Sequence, residues 1–198
     1  MRVIGLTGGI AAGKSTVSEA LREAGAVVID ADKVGHDAYR PGTETHAALV
    51  EAFGPQIVAE GGEIDRRALG AIVFADPAQR QRLQDIVWPR MKEMMRSQLE
   101  DQAANGTDLA VIEAAVLFEA GWQDLMDEIW VVQVPEEVAR ERLIARNGLS
   151  AEDANARIRA QLSNDERARH AQVIIDNSGS IEHARKQVKK ALARESDA

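Results

Sequence analysis

Lys14, Ser15 and Thr16 close a run of small residues, Gly8-Gly9-Ile10-Ala11-Ala12-Gly13, that follows a short apolar stretch. A loop this poor in side chains cannot pack, but it can bring its backbone N–H groups very close to an anion. The pattern Gly8-x-x-x-x-Gly13-Lys14-Ser15 is that of a phosphate-binding P-loop, and it lies after a predicted strand and opens a predicted helix. Glycines let the backbone turn its N–H groups inward. The helix N-terminus adds about half a positive charge. Lys14 then reaches the β- and γ-phosphates, and the Ser15 hydroxyl is the candidate Mg²⁺ ligand. The expected ligand of Gly8 to Thr16 is therefore a nucleoside triphosphate. The motif alone does not separate kinases, switch GTPases and mechanical ATPases.

A second constellation is Asp30-Ala31-Asp32, at the end of the apolar run Ala26 to Ile29. In a P-loop sheet the carboxyl end of the next strand faces the phosphate site. Asp32 is the candidate base for a hydroxyl acceptor, and Asp30 is either a second site carboxylate or the cap of the following helix. Asp32-Lys33-Val34-Gly35 matches the D-x-x-G of GTPases, but it lies too close to the P-loop, and no [NT]-K-x-D guanine reader occurs in the chain. Residues 140–169 contain seven Arg against five Asp or Glu. A solvated helix face is the ordinary meaning of such a run. A kinase, however, needs a lid that closes over ATP and brings arginine to the developing charge. Arg142 and Arg146 share a helical face, and Arg146 beside Asn147-Gly148 is placed at a hinge. Glu113, ending a strand, is a candidate to orient Mg²⁺ through water or to cap a helix. Of Trp88, Trp122 and Trp130, each able to stack on an adenine, Trp130 reads as core and Trp88 as the acceptor contact.

The elements that must position these groups alternate. Val3 to Leu6, Ala26 to Ile29, Leu109 to Ile112, Glu128 to Val134 and Gln172 to Ile175 read as strands, with Ser15 to Ala24 the first helix. This predicts an α/β fold with a parallel five-stranded sheet flanked by helices. Residues 31–107 hold helix patterns and no convincing strand, which indicates an inserted helical subdomain. Pro89 interrupts one of these helices and is expected to kink or break it. The core is then about 1–30, 108–145 and 170–195, and a helical lid spans about 146–169. Ser150 and Asp153 fit a capping box at the start of a lid helix. Arg194 to Ala198 are expected to fray.

With 198 residues and 45% hydrophobic content the chain is sized for one domain with a real core. The net charge of −8 argues against a broad basic surface for nucleic acid or anionic lipid. There is no cysteine, which excludes disulfides and thiolate metal sites and suggests a reducing compartment. No apolar run approaches a membrane span, and a cytoplasmic protein is expected.

Gly5-Leu6-Thr7-Gly8-Gly9-Ile10 through Thr16, with Asp30-Ala31-Asp32, resembles the dephospho-coenzyme A kinase family. The resemblance continues in Arg66-x-x-Leu69-x-x-x-Val73-Phe74, Leu117-Phe118-Glu119 and Arg142-Leu143-x-x-Arg146. It extends through Ala156-Arg157-Ile158 with Gln161 and Val173-Ile174-Ile175 with Asn177. It implies ATP-dependent phosphorylation of the ribose 3′-hydroxyl of dephospho-coenzyme A; Mg²⁺ is expected with the ATP, and a monomer or weak oligomer is expected. It also implies Asp32, Lys14 and Arg146 as catalytic residues, and Asn177 near the adenine. Thr7, His36, Trp88 and Leu117 join Asp32 as expected acceptor contacts. The chain departs from the family at Ala11-Ala12, where Gly-Ser is usual; alanine suits residue 11 if no positive φ is required there. Ala115-Val116 and Trp88 also depart, in ways similar to the kinase domain of bifunctional coenzyme A synthase, as does Asn147, where Asp is usual. From the residues alone, a kinase for another small hydroxyl acceptor and a nucleotide-binding switch remain open.

Overall fold

The central strand β1, Arg2–Gly8, is buried from Val3 onward, as the run Val3 to Leu6 requires of a strand covered on both faces. The computed structural model describes residues 1–194. Four further strands complete a five-stranded parallel sheet: β2 (Val27–Asp30), β3 (Leu109–Glu113), β4 (Glu128–Gln133) and β5 (Val173–Asp176). The order is β2-β3-β1-β4-β5. β1 pairs in parallel with β3, Leu6 opposite Glu113, and with β4, Gly8 opposite Val132. The loop after β1 thus leaves the middle of the sheet at its carboxyl edge, where ligands of such sheets bind. Each strand matches its sequence reading to within two residues, because continuous apolar runs bounded by polar residues leave little freedom in placing them.

Helices α1 (Lys14–Glu23) and α9 (Ile181–Ala193) cover the sheet. Val17 and Leu21 from α1 and Val188 from α9 join Ile4, Leu6, Val111, Trp130, Val132 and Ile175 in one buried cluster. Each such side chain contributes about 1.5–3 kcal/mol on burial. Trp130 lies in this core as its strand position predicts. Trp122, a candidate for stacking on adenine, is 1% exposed and belongs to the interior as well.

Between β4 and β5 lie α6 (Glu136–Asn147), α7 (Ala151–Arg159) and α8 (Asn164–Ala168). Ser150 caps α7 by accepting from the Asp153 N–H, but the Asp153 carboxylate takes the Ser150 hydroxyl rather than its N–H. The full reciprocal capping box is found instead at α8, between Ser163 and Glu166.

Asp30–Asp101 forms a second compact unit. It contains α2 (Ala31–Ala38), α3 (Glu44–Phe53), α4 (Arg66–Ala75) and most of α5 (Pro77–Ala104). Thr43 and Asp65 cap α3 and α4 through their side-chain oxygens. Leu49, Phe53, Ile57, Leu69, Val73, Met91 and Met95 are buried, and Met91 packs on Gly35, where there is no Cβ to hold it off. Of the kink or break expected at Pro89, α5 shows no break and runs through the proline as one helix. Proline removes one backbone donor, and buried Val87, Met91 and Met95 on either side hold the helix together. Among the described residues no helix is long and apolar enough to cross a membrane. Of the terminal segment 194–198, only Arg194 lies within the described residues.

The turn from β1 into α1 holds the one non-glycine residue with positive φ among the described residues, Ala11 at 59°. The sequence reading required residue 11 to avoid this region, and it does not. A left-handed alanine costs about 1–2 kcal/mol, against about 0.5–1 kcal/mol for the extra chain freedom of glycine. Ala11→Gly should therefore raise stability by about 0.5 kcal/mol, read as a small increase in the urea midpoint at constant slope. A lower midpoint would show that the alanine methyl makes a packing contribution larger than its strain.

Candidate active site

Helix α1 begins with an uncompensated positive end. Its N-cap, Gly13, offers no side chain and has φ of 84°, and there is no acidic residue in the first turn. The first N–H groups of a helix have no intrahelical acceptor. Ala11 and Gly13, both left-handed, alternate with Ala12, a pattern of the kind found in anion-binding nests. Only the Ala12 N–H folds back, to the Gly9 carbonyl at 3.1 Å, while Thr16 closes onto Gly13 at 3.1 Å. Lys14 Nζ donates to the Gly8 carbonyl at 3.2 Å, so the ammonium lies over the loop that leads to it. Ser15 is exposed in the first turn. Gly8 must be glycine for another reason: a Cβ there would stand 2.5 Å from the Val132 carbonyl oxygen.

The loop is held from behind by a residue far away in sequence. Asn177, 5% exposed, donates from Nδ2 to the carbonyls of Ala12 at 2.9 Å and Gly13 at 3.4 Å. Its own carbonyl accepts from Arg142 Nη2 at 2.8 Å. A Cβ on Gly13 would fall 2.2 Å from Asn177 Nδ2, so the contact depends on glycine as much as the φ does. The resemblance puts Asn177 near the adenine; its amide N–H₂ is spent on the P-loop backbone. Glu113 neither caps a helix nor stands free, since its Oε2 accepts from the buried Ser18 hydroxyl at 2.5 Å and ties α1 to β3. Arg146, on the same helix as Arg142 but exposed, donates from Nε to Asn147 Oδ1 at 2.9 Å. Asn147, found where the family usually has aspartate, thus accepts from the arginine beside it.

A third set of groups reaches the loop from the turn after α7 and from α8. The Ile10 N–H donates to Gln161 Oε1 at 2.8 Å. Asn164 Nδ2 donates to the Val134 carbonyl and receives Gln133 Nε2 on its own carbonyl, both at 2.9 Å. Arg167 is 2% exposed, with Nη1 on the Leu162 carbonyl. Burial pulls its pKa down, opposed by the charges of Glu119 and Glu166. The hydrogen bonds that Glu166 accepts from Ser163 in turn hold that carboxyl below its usual range. These side chains and the loop enclose a cavity of about 370 Å³, lined by Gly9, Ile10, Ala12, Ile158, Gln161 and Arg167 among others. The resemblance includes Gln161 without giving it a role, and the polar pattern of 158–167 gave no reason to single out Arg167 as a P-loop neighbour.

In the second unit, Asp30 is the N-cap of α2, accepting from the N–H groups of Asp32 and Lys33 at 3.0 and 3.3 Å. That assigns Asp30 to structure and leaves the Asp32 carboxylate exposed in the first turn. One turn on, His36 is exposed too, and its Nε2 lies 2.6 Å from Arg66 Nη1. Trp88 is half-buried in α5. In the first unit, Thr7 and Leu117 are both fully buried. Leu117 reaches within 2.9 Å of where a Gly5 Cβ would be, so its side chain is core. Among the described residues no three His, Asp or Glu side chains cluster to hold a metal.

The family model described as CoaE, dephospho-CoA kinase, matches residues 2–183. A dephospho-CoA kinase of Symbiobacterium thermophilum is 51% identical over 191 residues, covering 96% of this chain and 80% of that protein. One of Geobacter sulfurreducens is 45% identical, covering 98% of each. The solved structure of the dephospho-CoA kinase from Campylobacter jejuni is 26% identical and superposes with a TM-score of 0.75, covering 100% of this chain and 98% of that one. A strand-loop-helix built to hold phosphates, at the centre of a sheet shared with these kinases, places the chain in the dephospho-CoA kinase family.

Proposed function

We propose that this chain transfers the γ-phosphoryl group of ATP to the ribose 3′-hydroxyl of dephospho-coenzyme A, giving coenzyme A and ADP, and that its residues divide the work as follows. The uncapped start of α1 with the left-handed Ala11 and Gly13 is the observation that carries the reading, because it is a nest for phosphate oxygens. Residues Gly8 to Thr16 bind the triphosphate, and Lys14 neutralises charge on its β- and γ-phosphates. Asn177 supports the nucleotide through the loop it braces. Ser15, exposed in the first turn, fits a Mg²⁺ held mainly by phosphates and water, which needs no protein cage. When bound, that ion neutralises the phosphate oxygens.

Asp32 accepts the proton of the attacking hydroxyl. It suits the role because its neighbour Asp30 takes over the capping duty and leaves its carboxylate uncommitted by any hydrogen bond of the cap. The oxygen then attacks phosphorus in line as the bond to the β-phosphate oxygen breaks. Arg146 stabilises the charge on the transferring group as the lid, 146–169, closes and excludes water. His36 and Trp88, with the Arg66 partner of His36, serve the acceptor from the helical unit 30–101. The protein works in the cytoplasm, as a monomer or weak oligomer.

ADP release with ATP and Mg²⁺ should rise strongly on adding dephospho-coenzyme A and not on adding adenosine or a sugar acid, with a product one phosphate heavier. Equal stimulation by the other acceptors would refute the substrate. Asp32→Asn should lower kcat by about 10²- to 10⁴-fold while ATP affinity stays within about twofold; normal turnover would remove Asp32 from the role of base. Asn177→Ala should cost about 1–3 kcal/mol of stability, because two loop carbonyls lose their donor. It should also weaken ATP binding, both read by calorimetry. Unchanged ATP affinity would separate the brace from the nucleotide site.

A further inference from the structure

Arg167 is a buried cation with most of its hydrogen-bonding capacity unused. Guanidinium carries five N–H donors. Here Nη1 meets the Leu162 carbonyl, while Nε and Nη2 are buried without a hydrogen-bond partner. Leaving a desolvated charge so poorly satisfied is among the costliest arrangements a fold can hold. The place where it sits is the wall of the cavity beside the P-loop, and a Cβ on Gly9 would lie 3.4 Å from Nη1.

Its approach to the loop is fixed by neighbours. Gln161 accepts from the Ile10 N–H, and Asn164 bonds the Val134 carbonyl at the end of β4. The backbone that carries Arg167 is therefore tied to the loop and to the sheet. We propose that Arg167 is a phosphate-binding residue of this site, its guanidinium turning into the cavity to take phosphate oxygens of the bound nucleotide. The planar fork of Nε and Nη2 matches two such oxygens, which a lysine cannot do. Arg167 is then kept at the expense of the free protein's stability. Glu119 and Glu166 favour its charge without satisfying those two donors. The inference rests on the proposed use of the P-loop for nucleotide.

The test compares wild type, Arg167→Met, Arg167→Lys and Lys14→Met, by calorimetric titration with Mg²⁺ and a non-hydrolysable ATP analogue, and by thermal unfolding without nucleotide. Arg167→Met should unfold at the same or a higher temperature and bind the analogue about tenfold or more weaker. Arg167→Lys should recover part of the affinity, since it restores charge without the fork. Titration with dephospho-coenzyme A should change less than about twofold in both variants. Nucleotide affinity within about twofold of wild type in both, with a lower unfolding temperature for Arg167→Met, would make Arg167 structural and overturn the proposal. Should Arg167→Met not fold, Arg167→Lys decides: unchanged affinity overturns, a loss of about threefold or more supports. Lys14→Met reports on the site itself. If it binds the analogue like wild type, the nucleotide reading fails and this proposal with it; if it alone loses binding, only this proposal fails.

Discussion

The structure depends on an unsatisfied set of backbone donors. Helix α1 starts on a glycine with no capping side chain and no acidic first turn, and the loop before it has positive φ at Ala11 and Gly13. A helix end of this kind is stabilised by an anion from outside. Much around it serves to keep the loop open in the absence of one. β1 anchors one end at the centre of the sheet, with Gly8 pressed on the Val132 carbonyl. Asn177 holds the loop carbonyls, so that the N–H groups on the other side of the same peptides stay turned outward. Ser18 and Glu113 fix the helix to the neighbouring strand.

The parts of this arrangement that were legible in the sequence are those written in local pattern. Strands buried on both faces read as continuous apolar runs, and the P-loop is contiguous, so local pattern carries both the fold class and the phosphate site. Long-range partners could not. Asn177 meets Ala12 across 165 positions, and Ile10 meets Gln161 across 151. Neither residue type nor spacing announces such a bond, because asparagine and glutamine in polar stretches ordinarily face water. Arg167 was hidden in the same way among six other arginines of the run. Asp30, equally suited on paper to chemistry or to capping, is settled only by the direction of its carboxylate. Pro89 does not end its helix, because the local tendency of proline to break helices is overruled by packing on both sides of it.

The negative net charge and the demand for two polyanionic substrates are reconciled by location. The chain carries an overall −8, yet Lys14, Arg142 and Arg167 are gathered about one loop, together with the positive end of α1. Short-range hydrogen bonds and a helix end decide binding there, and the distant surface carboxylates are screened beyond about 10 Å at ordinary ionic strength.

Several features that look like defects share that location. Ala11 is strained, Arg167 is buried without partners for two of its nitrogens, and the Thr7 hydroxyl on β1 is buried without one. Trp130 Nε1 and Arg185 Nε are also buried without a hydrogen-bond partner, outside that loop, and isolated features of this kind only lower stability. Gathered at the carboxyl end of one strand, the first three mark where the chain is shaped for something other than itself. A site for phosphates must present donors that the protein does not consume, and a protein that satisfied all of them internally would be more stable and unable to bind. The well-filled sheet core around Trp130 and Leu21 is what lets the loop carry that cost, since it supplies stability that does not depend on how the loop is satisfied.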